Sequence, residues 1–141
     1  SADQGRSWDI RVDGLPYTTV YSLGLSQGRL LCGTRMGIFF SDNQGRMWKE
    51  SEGVFPLEIV AIERGERPGE VYAADLLVGY LFVSEDNGAS WEAHHVGPAL
   101  SRISSLSLTE SGTLLAGTVS EGVYRIVPVG HPSEAARSEA E

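Results

Sequence analysis

Ser1-Ala2-Asp3-Gln4-Gly5-Arg6-Ser7-Trp8 is the first copy of an eight-residue phrase that returns twice. It returns as Ser41-Asp42-Asn43-Gln44-Gly45-Arg46-Met47-Trp48 and as Ser84-Glu85-Asp86-Asn87-Gly88-Ala89-Ser90-Trp91. The tryptophans stand 40 and 43 residues apart. A period of this length, in a chain with 17 glycines and short apolar runs, predicts a β-propeller.

The segments between the copies read as strands. Val20-Tyr21-Ser22-Leu23-Gly24-Leu25 and Ile103-Ser104-Ser105-Leu106-Ser107-Leu108 alternate apolar and small residues, and Leu57-Glu58-Ile59-Val60-Ala61-Ile62 is read as their middle counterpart. Then come Leu30 to Thr34, Val71 to Asp75 and Leu114 to Thr118, followed by Ile38 to Phe40, Leu81 to Val83 and Val123 to Arg125. A fourth short strand is expected after each Trp, including Ser7 to Val12. The unit spans 1–128, and 129–141, rich in Pro, Ser, Glu and Ala, reads as a solvated acidic tail.

The phrase resembles the Asp box, Ser-x-Asp-x-Gly-x-x-Trp, of bacterial-neuraminidase-type repeats. Ser1, Asp3, Gly5 and Trp8 match it, as do Ser84, Asp86, Gly88 and Trp91; in Ser41, Asn43, Gly45 and Trp48 an Asn replaces the Asp. Sialidases, sortilin-like receptors, xyloglucanases and photosystem II assembly factors share such repeats, so the resemblance implies a fold more than a function. In the family the boxes lie on the face remote from the active site, and many members are exported, which favours a secreted or periplasmic setting. The residue types suit a structural turn. Asp or Asn can accept turn N–H groups, Gly5, Gly45 and Gly88 can take positive φ, and the three indoles are expected to bury. A calcium loop of EF-hand type needs Glu at its twelfth position, and counting from Asp42 that position is Gly53.

The expected strands number twelve, or three four-stranded antiparallel blades, one strand leading and three trailing. At the fourth expected box, Ile126, Pro128, Gly130 and Ser133 stand in the Ser, Asp, Gly and Trp places. Three blades are fewer than the four to eight that usually surround a channel. The chain is therefore expected either to close a six-blade ring as a homodimer, each copy lending residues 7–12 to the other, or to be a piece of a larger propeller.

Composition narrows the functions. Nineteen acidic against 11 basic residues, net charge −8, argue against a nucleic-acid partner. No apolar run approaches a membrane span, so no membrane insertion is expected. One cysteine, Cys32, excludes an intrachain disulfide and occupies the slot of Ala73 and Ala116, that of a small core residue. His94 and His95 are adjacent on a strand and point to opposite sides, so they make a poor metal pair. No cofactor or metal is expected.

The blade connections, about 14–19, 53–58 and 97–102, and the loops 34–37, 75–80 and 118–122 share the face where propeller ligands usually sit. Their candidates for a ligand or partner are Tyr17, Arg35, Glu58, Asp75, Leu77, Tyr80, Arg102 and Glu121. Leu76-Leu77-Val78 gives one loop an apolar tip, a mark of a partner surface or a channel plug. Sialidase chemistry would need clustered arginines; Tyr124-Arg125-Ile126-Val127-Pro128 only superficially resembles the family's arginine motif and reads as strand. A glycosidase needs two facing carboxylates, for which Asp75, Glu58 and Glu121 are the candidates.

Three functional readings follow. The first is a non-catalytic propeller that binds a protein or glycan, or scaffolds an assembly. The alternative is a carbohydrate-active hydrolase, or part of one. The third is a designed or fragmentary repeat propeller with no ligand.

Overall fold

The computed structural model describes residues 1–96 and 102–126; the tail expected over 129–141 lies outside them. The elements are β1 (Val20–Ser26), β2 (Arg29–Thr34), β3 (Gly37–Ser41), β4 (Lys49–Glu50), β5 (Ile59–Arg64), β6 (Val71–Asp75), β7 (Tyr80–Ser84), β8 (Glu92–His95), β9 (Ile103–Leu108), β10 (Leu114–Thr118) and β11 (Val123–Ile126). They form three antiparallel sheets, β1-β2-β3-β4, β5-β6-β7-β8 and β9-β10-β11. These are three propeller blades, the last with three strands among the described residues.

Each blade opens on the same irregularity. The register shifts between Val20 and Ser22, between Ile59 and Ala61, and opposite Gly117 and Thr118. Such a bulge adds twist at the innermost strand. It also corrects the expected alignment: Ile59 pairs with Asp75 as Val20 pairs with Thr34 and Ile103 with Thr118, so the counterpart of Val20 is Ile59, not Leu57. β5 accordingly starts two residues later than the apolar run suggests.

The core lies between blades. Leu31, Ile38 and Phe40 of blade 1 meet Ile59, Ile62, Val71, Ala73 and Phe82 of blade 2. Ala61, Tyr72, Ala74 and Leu81 of blade 2 meet Ile103, Leu114, Ala116 and Ile126 of blade 3. Small residues make this approach possible: a Cβ on Gly24 would come within 2.5 Å of Ile62 Cγ2. The Ser22 hydroxyl crosses the same gap to donate to the Ile59 carbonyl at 3.1 Å.

The three octapeptides fold alike. Each serine hydroxyl donates to the Asp or Asn Oδ1, at 2.9, 2.9 and 2.8 Å, and accepts the glycine N–H at 2.8, 2.9 and 2.8 Å. Oδ1 in turn accepts the N–H of Ser7, Met47 or Ser90 at 2.9 Å. Gln4–Gly5, Gln44–Gly45 and Asn87–Gly88 all take positive φ, which these bonds hold in place. The Ser7 N–H and hydroxyl draw the exposed Asp3 carboxyl down to about 2.

Burial of the indoles differs from expectation. Trp48 and Trp91 are buried, but Trp8 is 77 % exposed. The reason lies in the next segment. Residues 7–12 pair with no strand among the described residues, so the first octapeptide has no described blade beneath it. The expected strand over 7–12 is thus not formed in the single chain, although its end and the residue after it are docked. Asp13 O accepts Trp48 N at 2.8 Å and Arg11 O accepts Trp48 Nε1 at 3.1 Å. Glu52 O accepts Trp91 N at 2.9 Å in the same way one blade on.

Candidate binding face

The ends of the blades opposite the octapeptides carry the β2–β3, β6–β7 and β10–β11 turns and the blade connections. One hydrogen bond recurs there. Leu76 N donates to Glu58 O at 3.0 Å, and Val119 N donates to Arg102 O at 3.1 Å. Glu58 and Arg102 therefore fill one backbone slot in successive blades, each just before the first strand. Their opposite charges are a variable decoration on a fixed frame. Arg102 sits at φ 68°, a left-handed position uncommon outside glycine.

Asp75, Thr34 and Thr118 are likewise equivalent, and all three anchor turns. Thr34 Oγ1 accepts Met36 N at 3.0 Å, and Thr118 Oγ1 accepts Glu121 N at 2.9 Å. Asp75 does this more fully. It is wholly buried, Oδ2 accepts the N–H groups of Leu77 and Val78 at 2.7 and 2.6 Å, and Oδ1 accepts that of Tyr80 at 2.6 Å. Both oxygens are engaged by the turn, and this holds the Leu76-Leu77-Val78 tip out from the sheet.

That tip is solvent-facing. Leu77 and Val78 are exposed, as are Tyr17 in the first connection, Phe55 in the second and Val119 in the β10–β11 turn. Arg35 and Glu121 are exposed beside them, and Glu58 and Tyr80 are half-buried. Tyr80, a sequence-based candidate, belongs to an aromatic group whose other members were not among those candidates. Phe55 meets Tyr80 edge-on at 5.3 Å between centroids and Phe82 at 5.7 Å, and His95 closes on Tyr80 at 5.2 Å. Phe55 thus plants one exposed edge of the face on the blade 1–blade 2 core. It lies in a connection with no periodic pattern, so only its size and the following Pro56 could have drawn notice.

The opposite end carries different chemistry. Arg29 reaches Asp42 with two bonds, Nε to Oδ1 at 2.7 Å and Nη2 to Oδ2 at 3.1 Å, and lies 4.3 Å from the Phe40 ring centroid. Hydrogen bonding from Arg29 holds the Asp42 carboxyl below its ordinary value. Glu70 is buried and tends to be raised by desolvation. The Arg67 N–H, the Tyr72 hydroxyl at 2.8 Å and the Arg67 guanidinium outweigh this and hold it low. A shallow cleft lies between Arg67, Pro68, Glu70 and Glu85.

Among the described residues no three His, Cys, Asp or Glu side chains converge in metal-binding geometry. Tyr124 and Arg125 lie in strand β11, as the sequence reading expects. Burial raises the Cys32 thiol to about 12, far from a nucleophile's range.

No family model matches the chain, and no curated protein matches it. Solved structures do. An ancestral GH74 enzyme matches with TM-score 0.72 at 19% identity, over 94% of this chain and 21% of its own. The extracellular domain of a putative one-component system from B. thetaiotaomicron matches with TM-score 0.66 at 23% identity, over 89% of this chain and 17% of its own. YCF48 bound to a D1 peptide matches with TM-score 0.59 at 19% identity, over 91% and 42%. The chain thus spans from about a sixth to two fifths of the length of these proteins. What it shares with them is the fold, that of a partial β-propeller.

Proposed function

We propose that the chain is a non-catalytic Asp-box β-propeller module that binds a protein partner through its blade-connecting loops. In this reading residues 1–128 form the unit, and a second copy closes the ring that presents the face. The observation that carries it is the row of exposed apolar side chains on one end of the blades: Tyr17, Phe55, Leu77, Val78 and Val119. Soluble surfaces seldom gather such residues without a partner to cover them. Arg35, Arg102, Glu58 and Glu121 at the margin supply mixed charge for selectivity, the pattern of a protein interface. Two structural neighbours fit the same class, one solved with a bound peptide and one, PorZ of P. gingivalis, a surface component of the type-IX secretion system.

Of the carboxylate candidates, Asp75 is poorly placed for hydrolase chemistry. A general acid or nucleophile needs an oxygen open to substrate, and both oxygens of Asp75 are held by backbone N–H groups. Peptide display against the chain tests the reading. Enriched peptides should carry apolar anchors, and Leu77→Asp should weaken them at least tenfold, about 1.4 kcal/mol. Release of reducing sugar from polysaccharide, or peptide binding indifferent to Leu77→Asp, would overturn it.

A further inference from the structure

The two blade–blade contacts within the chain show how a blade is covered on each side. A leading face, formed by apolar residues of the first strand, enters a trailing face made of small residues and one apolar side chain of the third strand. Ile59 and Ile62 of blade 2 enter over Ser22, Gly24 and Gly33 of blade 1. Beneath them Ile38 and its blade 2 counterpart Leu81 are 0% and 1% exposed.

Among the described residues both outermost faces are cut to the same pattern and left open. On blade 1, Val20 and Leu23, the counterparts of Ile59 and Ile62, are 39% and 71% exposed, and Leu25 beside them is exposed too. On blade 3, Ser105, Ser107 and Gly117 repeat Ser22, Gly24 and Gly33. There Val123, the counterpart of Ile38 and Leu81, is 71% exposed. The two open faces therefore match the two halves of an interface of the kind found twice within the chain.

The unpaired segment 7–12 completes the match. Lys49 and Glu92, each following a Trp, pair with Phe40 and Val83. Asp9 also follows a Trp, and the residue of β11 equivalent to Phe40 and Val83 is Arg125. By the same register Ile10 falls opposite Tyr124, where Ala93 falls opposite Phe82. So the only pairing that continues the existing pattern sets an acid against a base and an exposed apolar residue against an aromatic one.

We propose that the open faces dock head to tail on a second copy of this chain. Residues 7–12 of one copy add to the edge of β11 that pairs with no described strand in the other, and an Asp9–Arg125 pair between copies sets the register. Two copies of three blades make six, within the usual range for a closed ring. The Ser105 hydroxyl then stands where Ser22 stands and donates to the Val20 carbonyl of the second copy. In the single chain Asp9 makes only a 3.5 Å contact with Arg11, so little is given up. The inference rests on the ring of the functional reading but not on its ligand face, since peptide binding through Leu77 is read separately.

Light scattering on the 141-residue chain, with charge reversals, tests it. The unaltered chain should have twice the chain mass. Asp9→Arg and Arg125→Asp should each weaken the dimer about tenfold, as like charges now face each other in both contacts. Mixing the two variants, or co-refolding them where either alone fails to fold, should restore the dimer, because every Arg then meets an Asp. A folded monomer at micromolar concentration would overturn the proposal and assign the open faces to blades outside these residues. A dimer indifferent to both reversals, or no recovery on mixing, would overturn the Asp9–Arg125 register.

Discussion

Replacing Trp91 by Ala isolates what an octapeptide indole contributes. The ring is 6% exposed and packs on the blade 1–blade 2 core with Leu31, Ile38 and Phe82. A tryptophan buries about 150–250 Å², which at ~25 cal/mol per Å² is about 4–6 kcal/mol of transfer free energy. Alanine keeps a small part of that, and the neighbours relax partly into the gap, so ~3–5 kcal/mol should be lost. The lost hydrogen bond adds little. Trp91 Nε1 donates to Gly88 O at 3.1 Å, but the Ser51 hydroxyl donates to the same carbonyl at 2.7 Å and remains. The backbone bond from Trp91 N to Glu52 O also survives the substitution. Against a typical total of ~5–15 kcal/mol, the variant should be marginally folded. Urea denaturation followed by far-ultraviolet circular dichroism measures the loss without depending on the indole itself. Trp8→Ala is the internal control: within the single chain it should cost less than ~0.5 kcal/mol, and any larger cost that grows with protein concentration reports a second copy. A loss below ~1 kcal/mol for Trp91→Ala would refute the claim that this indole joins the two blades.

Acid should destabilise the fold. Asp42, Glu70 and Asp86 are held below their ordinary values by the donors around them, in Asp86 the Ser90 hydroxyl and N–H against an opposing effect of burial. Such groups stabilise fully above the unfolded pKa near 4 and lose that contribution as pH falls through the lower folded values. Glu63, raised by burial, works in the opposite direction but alone. Denaturation midpoints should therefore fall steadily from about pH 5 downward; a midpoint flat to pH 3 would contradict the bonding of these three carboxylates. Cys32 should resist a thiol reagent at pH 8 in the folded chain and react at once in urea, since burial holds its thiol at about 12. Rapid labelling of the native protein would place it outside the core.

The fold was legible because the octapeptide is both periodic and made of residues with one conformational use each. Gly45 and Gly88 occupy φ of 78°, and Asn43 does for Met47 N what Asp86 does for Ser90 N. The errors came where apolarity and strand position part. Leu57 extends the run before β5, yet its carbonyl is taken by Gly37 N from the neighbouring blade, so the strand begins at Ile59. Asp75 reads in the sequence as a candidate carboxylate, but in the fold it makes a stronger version of the turn bond made by Thr34 and Thr118. Phe55 and Arg29 were passed over because their partners, Tyr80 and Asp42, are distant in the chain and only the fold brings them near.

The bond from each blade connection to the following octapeptide has an evolutionary consequence. Asp13 and Glu52 hold Trp48 and Trp91, and the sequence repeat, read from Trp to Trp, runs one strand out of phase with the blade. Unequal crossing-over between two such repeats inserts or removes a unit that begins as the end of one sheet and finishes as three strands of the next. Every junction made this way joins a fourth strand to a waiting third, whichever repeats recombined. With this offset a gain or loss of whole repeats would leave no half-made sheet at the junction.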